Sequence, residues 1–179
     1  MLTSGHCGNA TWKQGSTSGA TIGTSTWNYF TSGSYADIQV IPISQANGGL
    51  DDYLYGSAIC TSCIKHDVRI RECKDCDEVG EIISNNGAFS GVKYGTVSAT
   101  NVTCLAIDCT LLLYHQRRAT YTRMGGDSGG PVTALSGTNY DIAVGSHTNF
   151  QTISGTEYAV YSHAAEIEAA TGWTIWFDQ

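Results

Sequence analysis

The chain has 179 residues, a formal net charge of -7, only 14% charged side chains, 21 glycines and two prolines. An acidic, charge-poor sequence of this kind excludes a phosphate-backbone binder and a disordered tail, and its length allows one good core or two small coupled ones. No apolar run approaches the roughly 18 residues that span a bilayer.

The abundance of Gly, Ser and Thr predicts a loop-rich β protein. Seven cysteines predict an oxidising compartment, and the odd number leaves at least one without an internal disulfide partner. The residues that follow Met1 do not read as a signal peptide.

Taken in order, residues 1–8 read Met1-Leu2-Thr3-Ser4-Gly5-His6-Cys7-Gly8, where His6 alone is an ordinary loop residue. Thr24 to Phe30 is expected as a strand between turn signals. Tyr35 to Ile43 alternates so that Ile38 and Val40 share one face while Ile41 and Ile43 take the other, which predicts a strand with one well-buried side. Asp37 opens that strand, a place where aspartate commonly caps or turns the chain. Asp51 and Asp52 are competing acids, but no apolar strand stands behind them. Cys60-Thr61-Ser62-Cys63 and Cys73-Lys74-Asp75-Cys76 flank a charged, strand-like segment from Ile64 to Glu72. The two pairs suit either a tetrahedral zinc or two disulfides stapling an insertion; the secretory composition favours disulfides.

From Val79 the alternation is regular. Gly91 to Asn101 predicts a bent strand with glycines at its corners. Cys104 and Cys109 are spaced to close a small loop. Asn9-Ala10-Thr11 and Asn101-Val102-Thr103 match the glycosylation sequon. Leu111 to Tyr114 and Thr120 to Thr122 lead to Gly125-Gly126-Asp127-Ser128-Gly129-Gly130-Pro131-Val132. Asp141 to His147 and Tyr158 to Ser162 are expected strands. His163 to Thr171 predicts a short helix stopped by Gly172, followed by an apolar tail from Trp173 to Phe177.

The Gly125–Val132 loop carries the chemistry. Glycines before and after Ser128 permit a tight turn that exposes the hydroxyl and aims N–H groups beside it, as a serine nucleophile with an oxyanion hole requires. The octapeptide resembles the nucleophile loop of the chymotrypsin-like serine peptidases. Thr3-Ser4-Gly5-His6-Cys7 is similar to that family's histidine-bearing strand end, and Asp37-Ile38-Gln39-Val40 to its aspartate strand. The order His6, Asp37, Ser128 is also the family's. Gly95-Thr96-Val97-Ser98-Ala99 resembles the second-barrel opening of streptogrisin-like bacterial members, with Tyr94 where they carry a cysteine. Val144-Gly145-Ser146-His147 resembles the strand of glutamyl endopeptidases in which a histidine helps bind a P1 carboxylate.

This resemblance implies His6 as base, Asp37 as orienting acid and Ser128 as nucleophile, with the oxyanion held by the Gly126 and Ser128 amides. It implies substrate contacts at Ser146, His147 and Thr148, and neither metal nor organic cofactor. Asp127 is expected to pair with a new N-terminus or with one of Arg117, Arg118 and Arg123. Met124 stands where many relatives have the cysteine of a pocket disulfide, and Asn149-Phe150 replaces a glycine, which is expected to narrow the pocket or to alter substrate backbone pairing. In the family the cysteine beside the histidine pairs upstream. Cys7 is therefore expected to have lost its partner with a missing N-terminal part of roughly 25 to 40 residues, about two strands.

The expected fold is all-β: two six-stranded Greek-key antiparallel barrels, the first incomplete, with a short C-terminal helix. Residues 1–78 hold the first barrel remnant and the cysteine-rich insertion, residues 79–179 the second barrel, together one peptidase domain. The expected protein is a secreted, monomeric serine endopeptidase acting on polypeptides, without nucleic-acid or membrane partners. Its rivals are an inactive homologue that binds rather than cuts, a zinc-organised module, and an α/β-hydrolase elbow at Ser128 followed by Asp141 and His147 or His163.

Overall fold

The computed structural model describes residues 1–13, 17–43, 53–55, 65–70, 79–105, 111–135 and 140–175. Cys60, Cys63, Cys73, Cys76, Cys109, Asp51 and Asp52 lie outside the described residues.

The C-terminal half is a closed barrel. Its strands are β8 (Ile82–Gly87), β9 (Gly91–Leu105), β10 (Leu112–Ala119), β11 (Pro131–Leu135), β12 (Tyr140–Ile153) and β13 (Thr156–His163). They run in the order β11-β8-β9-β10-β13-β12, and β12 pairs back onto β11, so the ring has no free edge. Every pairing within it is antiparallel. Alternation along the strands sends Ile83, Val97, Ala119, Val132, Ala134, Val144, Ala159 and Tyr161 into one core, joined by Tyr121 from the segment after β10. At about 1.5–3 kcal/mol for each large side chain fully buried, this core is the main stabilising element of the half. A Cβ on Gly95 would meet the Tyr121 nitrogen at 2.3 Å, so the corner where these backbones cross accepts only glycine.

The strand-like segment after Cys63 is β7 (Lys65–Ile70). It pairs antiparallel with β6 (Tyr53–Tyr55) and parallel with Tyr140–Ala143 of β12, extending the sheet outside the ring.

The N-terminal half is smaller. β1 (Leu2–Thr3), β5 (Gln39–Val40) and β4 (Trp27–Asn28) form a three-stranded sheet, while β2 (Thr11–Lys13) and β3 (Thr21–Thr24) pair alone. The expected strand Thr24–Phe30 is thus two short ones, and that expected over Tyr35–Ile43 shrinks to Gln39–Val40. All residues from Ala36 to Ile41 are buried, with no exposed face. The reason is enclosure from both sides: Ile38 packs with Ala36 and Ile167, whereas the Asp37 amide reaches the barrel at Ser162.

The helix α1 (Ala164–Thr171) forms where expected. His163 caps its N-terminus through Nδ1 and Gly172, in the left-handed conformation, closes it. Ile167 and Ala170 pack on the N-terminal half, joined by Leu2, Tyr29 and Ile175, so the end of the chain seals its beginning. Cys104 is buried as a free thiol instead of closing a loop, and Cys7 is free and exposed. The antiparallel ring leaves no strand–helix alternation for a hydrolase elbow at Ser128.

Candidate active site

His6 stands in a single 3-10 turn, Gly5–Cys7, directly after β1. The turn is held by side chains. Asn28 Nδ2 donates to the Gly5 carbonyl at 2.8 Å, and Gln39 Nε2 donates to the carbonyls of Ser4 and Gly8 at 2.7 and 3.1 Å. A Cβ on Gly5 would lie 2.4 Å from Phe30 Cβ, so glycine lets the turn sit against that residue. Ser4 Oγ donates to the His147 carbonyl at 2.9 Å, tying the turn to the barrel.

Asp37 is fully buried and receives two bonds from one residue. The His6 backbone N–H donates to Oδ1 at 2.8 Å, and His6 Nδ1 lies 2.5 Å from Oδ2. The Asp37 N–H donates to Ser162 Oγ at 3.0 Å, and that hydroxyl donates to Gln116 Oε1 at 2.9 Å. Gln116 is anchored in turn by its Nε2, which donates to the carbonyls of Tyr35 and Tyr114 at 2.8 Å each. The carboxylate therefore has a fixed orientation. On the other side of the ring, His6 Nε2 is 3.0 Å from Ser128 Oγ. Burial disfavours the imidazolium, but the hydrogen bonds and charges of Asp37 and Cys7 outweigh it, leaving the His6 pKa above its ordinary value.

The serine loop is shaped by Asp127. Its carboxylate accepts from the amides of Phe89 and Ser90 through Oδ1, both at 2.9 Å, and from that of Met124 through Oδ2 at 2.7 Å. Burial opposes the charge, but a hydrogen bond from the Ser90 side chain together with these amides holds its pKa below the usual carboxylate value. The expected arginine partner is thus replaced by three backbone amides. Gly126 has φ +96° and abuts the Phe89 ring, where a Cβ would fall 2.4 Å from a ring carbon. Gly129 (φ +83°) faces Thr3, whose Oγ1 is 2.2 Å from the position of an added Cβ. Bonds from Gly129 N–H to the His147 carbonyl and from His147 N–H to the Gly130 carbonyl, both 2.8 Å, fasten the loop to β12. Among the described residues, no backbone bond uses the Gly126 or Ser128 amide. Both remain available beside the hydroxyl.

Beside Ser128 opens a cleft of about 470 Å³, walled in part by Trp12, Arg123, His147, Thr148 and Phe150. Ser146 is buried and does not line it. Asn149 and Phe150 do line it, and the Arg123 guanidinium stacks 3.6 Å from the Phe150 ring centroid. His147 Nδ1 is 2.9 Å from the Tyr121 hydroxyl, with the rings edge-to-face. Burial, the largest cause, lowers the His147 pKa to about 4; the Arg123 and His6 charges add to this and Asp127 opposes it. Burial also raises the Tyr121 phenol well above its ordinary value. No group of three or more metal-ligating side chains occurs among the described residues.

Sequence reasoning missed Tyr121, Trp12, Gln116 and Ser162, and placed Arg123 only as a partner for Asp127. Hydrophobic alternation marks Tyr121 as a core residue, but its contact with His147 follows from the closure of the ring.

No family model matches the chain. It is 30% identical over 178 residues to Serine protease 1 of Streptomyces fradiae, covering 98% of this chain and 45% of that protein. It is likewise 30% identical over 179 residues to Glutamyl endopeptidase 2 of Streptomyces griseus, covering 98% of this chain and 85% of that one. The chain belongs to the chymotrypsin-like serine peptidases.

The fold agrees. A solved glutamic acid specific serine protease, described as using a histidine triad in substrate binding, superposes with a TM-score of 0.72 at 26% identity, over 98% of this chain and 85% of its own. Cellulomonas bogoriensis chymotrypsin gives 0.66 at 19% identity, over 96% and 82%. In this peptidase Asp127 is anchored by backbone amides and an arginine stands in the cleft wall.

Proposed function

We propose that the chain is an endopeptidase that cleaves polypeptides through an acyl-enzyme, with Ser128 as nucleophile, His6 as general base and Asp37 as the acid that orients it. The observation that carries this reading is the continuous line from Asp37 Oδ2 to His6 Nδ1 at 2.5 Å and from His6 Nε2 to Ser128 Oγ at 3.0 Å. A serine hydroxyl needs a base within this reach before it can attack an amide.

His6 Nε2 takes the hydroxyl proton as Ser128 Oγ bonds to the scissile carbonyl carbon, and the carbonyl oxygen becomes an oxyanion. The Gly126 and Ser128 amides donate to that oxyanion; one such donor is typically worth about 3 kcal/mol. Collapse breaks the C–N bond, with His6 passing its proton to the leaving amine. A water then repeats the sequence and frees Ser128. Asp37 stabilises the imidazolium and fixes the tautomer with Nε2 toward Ser128.

The cleft beside Ser128 is read as the P1 pocket, with an acidic P1 side chain as its ligand. His147 supports this. In the tautomer in which the Tyr121 hydroxyl donates to Nδ1, the neutral ring carries its proton on Nε2 and can donate to a carboxylate. The name Glutamyl endopeptidase 2 and the glutamate-specific structural neighbour favour the same class. Residues 1–78 and 79–179 act as one unit in this reading, because His6 and Asp37 come from one and Ser128 from the other. Cysteine usage favours a secreted enzyme, with disulfides among the clustered cysteines; a monomer suffices for the chemistry.

A fluorophosphonate probe tests the proposal. Labelling is expected for the wild type and should vanish in Ser128→Ala and fall sharply in His6→Ala. Equal labelling of wild type and Ser128→Ala would overturn it.

A further inference from the structure

We propose that Arg123 is a specificity-determining residue of the cleft, sharing the P1 carboxylate of the substrate with His147. This deepens the acidic-P1 reading above and rests on it.

A buried carboxylate needs compensating charge as well as a hydrogen bond. His147 supplies only the bond near neutral pH, since burial keeps its imidazole uncharged down to about pH 4. No aspartate or glutamate lines the cleft, and Arg123 is its one permanently charged wall residue among the described residues.

Two further observations set this side chain apart. Its guanidinium carbon sits over Phe150, 3.6 Å from the ring centroid, a cation–π contact that restrains the side chain before substrate binds. Its Nε is buried and has no hydrogen-bond partner among the described residues. Among the described residues the guanidinium contacts one acid, Glu157, through Nη2 at 3.4 Å, and that carboxylate is 61% exposed, so the pair is long and solvent-screened. A guanidinium held at the cleft wall by Phe150 suits a substrate carboxylate, which can take two parallel bonds from its fork. Phe150, expected with Asn149 to narrow the pocket or to alter substrate backbone pairing, is here the platform that holds the charge.

The test compares two peptides that differ only in P1 Glu against the isosteric P1 Gln. Values of kcat/KM are measured near pH 7 for the wild type, Arg123→Met, Arg123→Lys and Glu157→Gln. The wild type is expected to favour Glu. Arg123→Met, which keeps the apolar stem over Phe150, should lose about 10–100-fold on P1 Glu, the range of a charged hydrogen bond, and change little on P1 Gln. Arg123→Lys should retain part of the preference, and Glu157→Gln should leave the Glu/Gln ratio as in the wild type.

An equal fall on both peptides would assign Arg123 a purely structural role and overturn the inference. So would an unchanged ratio in Arg123→Met with the wild-type preference intact, in which case the acidic-P1 reading survives. A wild type without preference for Glu overturns both. Fluorophosphonate labelling of each variant reports an intact serine site. If Arg123→Met does not label, the Lys variant decides, and a wild-type Glu/Gln ratio there would overturn the inference.

Discussion

The two halves of the molecule hold their proposed catalytic residues by different means. The C-terminal half is a closed ring whose ladders and apolar core fix Ser128 and His147. The N-terminal half has strands of two to four residues. There Asn28 and Gln39 bind the His6 turn, and the ring itself, through Ser162 and the His147 carbonyl, positions Asp37 and Ser4. A base and its acid can thus be aligned on a slight scaffold when a rigid neighbour supplies the register.

The strongest test of this contrast removes one group from each half. Ser128→Ala should lower kcat by roughly 10⁶ and Asp37→Asn by about 10⁴ at neutral pH, measured on the same peptide. The asparagine variant should also shift the pH profile. The charge of Asp37 holds the His6 pKa up, so activity should rise with pH along a limb above the roughly 6.5 of free imidazole. Asp37→Asn should move that limb downward.

Next in size is the seam between the halves. Gly129→Ala combines a left-handed φ with contact at Thr3 Oγ1, and should cut kcat/KM on the order of 100-fold by pushing the halves apart. Gly155→Ala has the same kind of φ (+81°) but nothing within 4 Å. It should cost only about 1–2 kcal/mol of stability with activity retained. Denaturant melts with kinetics on both variants would show whether the seam or the backbone strain matters.

The halves should also differ in how pH acts on stability. Below pH 6.5 the unfolded chain protonates His147 while the folded one resists down to about pH 4, so stability falls as pH falls across that window. The loss is roughly 3 kcal/mol at most. His6 has the opposite sign. Its raised pKa gives a contribution fully present below pH 6.5 that disappears as pH rises through the folded value. Urea melts from pH 4 to 9 on wild type, His147→Gln and His6→Gln should show each slope flatten in turn.

The smallest effect is expected at the rim of the cleft. Glu157→Gln should change stability by less than about 1 kcal/mol, because its long pair with Arg123 is exposed to solvent. A larger loss by thermal melting would make that ion pair part of the scaffold.

Much of the site was legible in the sequence because its signals are local. Gly126 and Gly129 beside Ser128 and the stop at Gly172 take backbone conformations that few other residues adopt, and Gly5 lets the His6 turn sit against Phe30. The alternation from Val79 onward announced strands, and the ring uses them.

What stayed hidden depends on groups without a sequence signature. Asp127 is satisfied by the amides of Phe89, Ser90 and Met124, which any residues would offer. The burial of Ala36 to Ile41 on both sides is decided by α1 and β13, more than 100 residues away. Side-chain periodicity determined the barrel strands from Val79 onward, and the glycines of the Gly125–Val132 loop marked its serine. Closure of the ring and docking of the halves decided which acid meets His6, which phenol backs His147 and where Arg123 lies, since those contacts join residues that no local spacing relates.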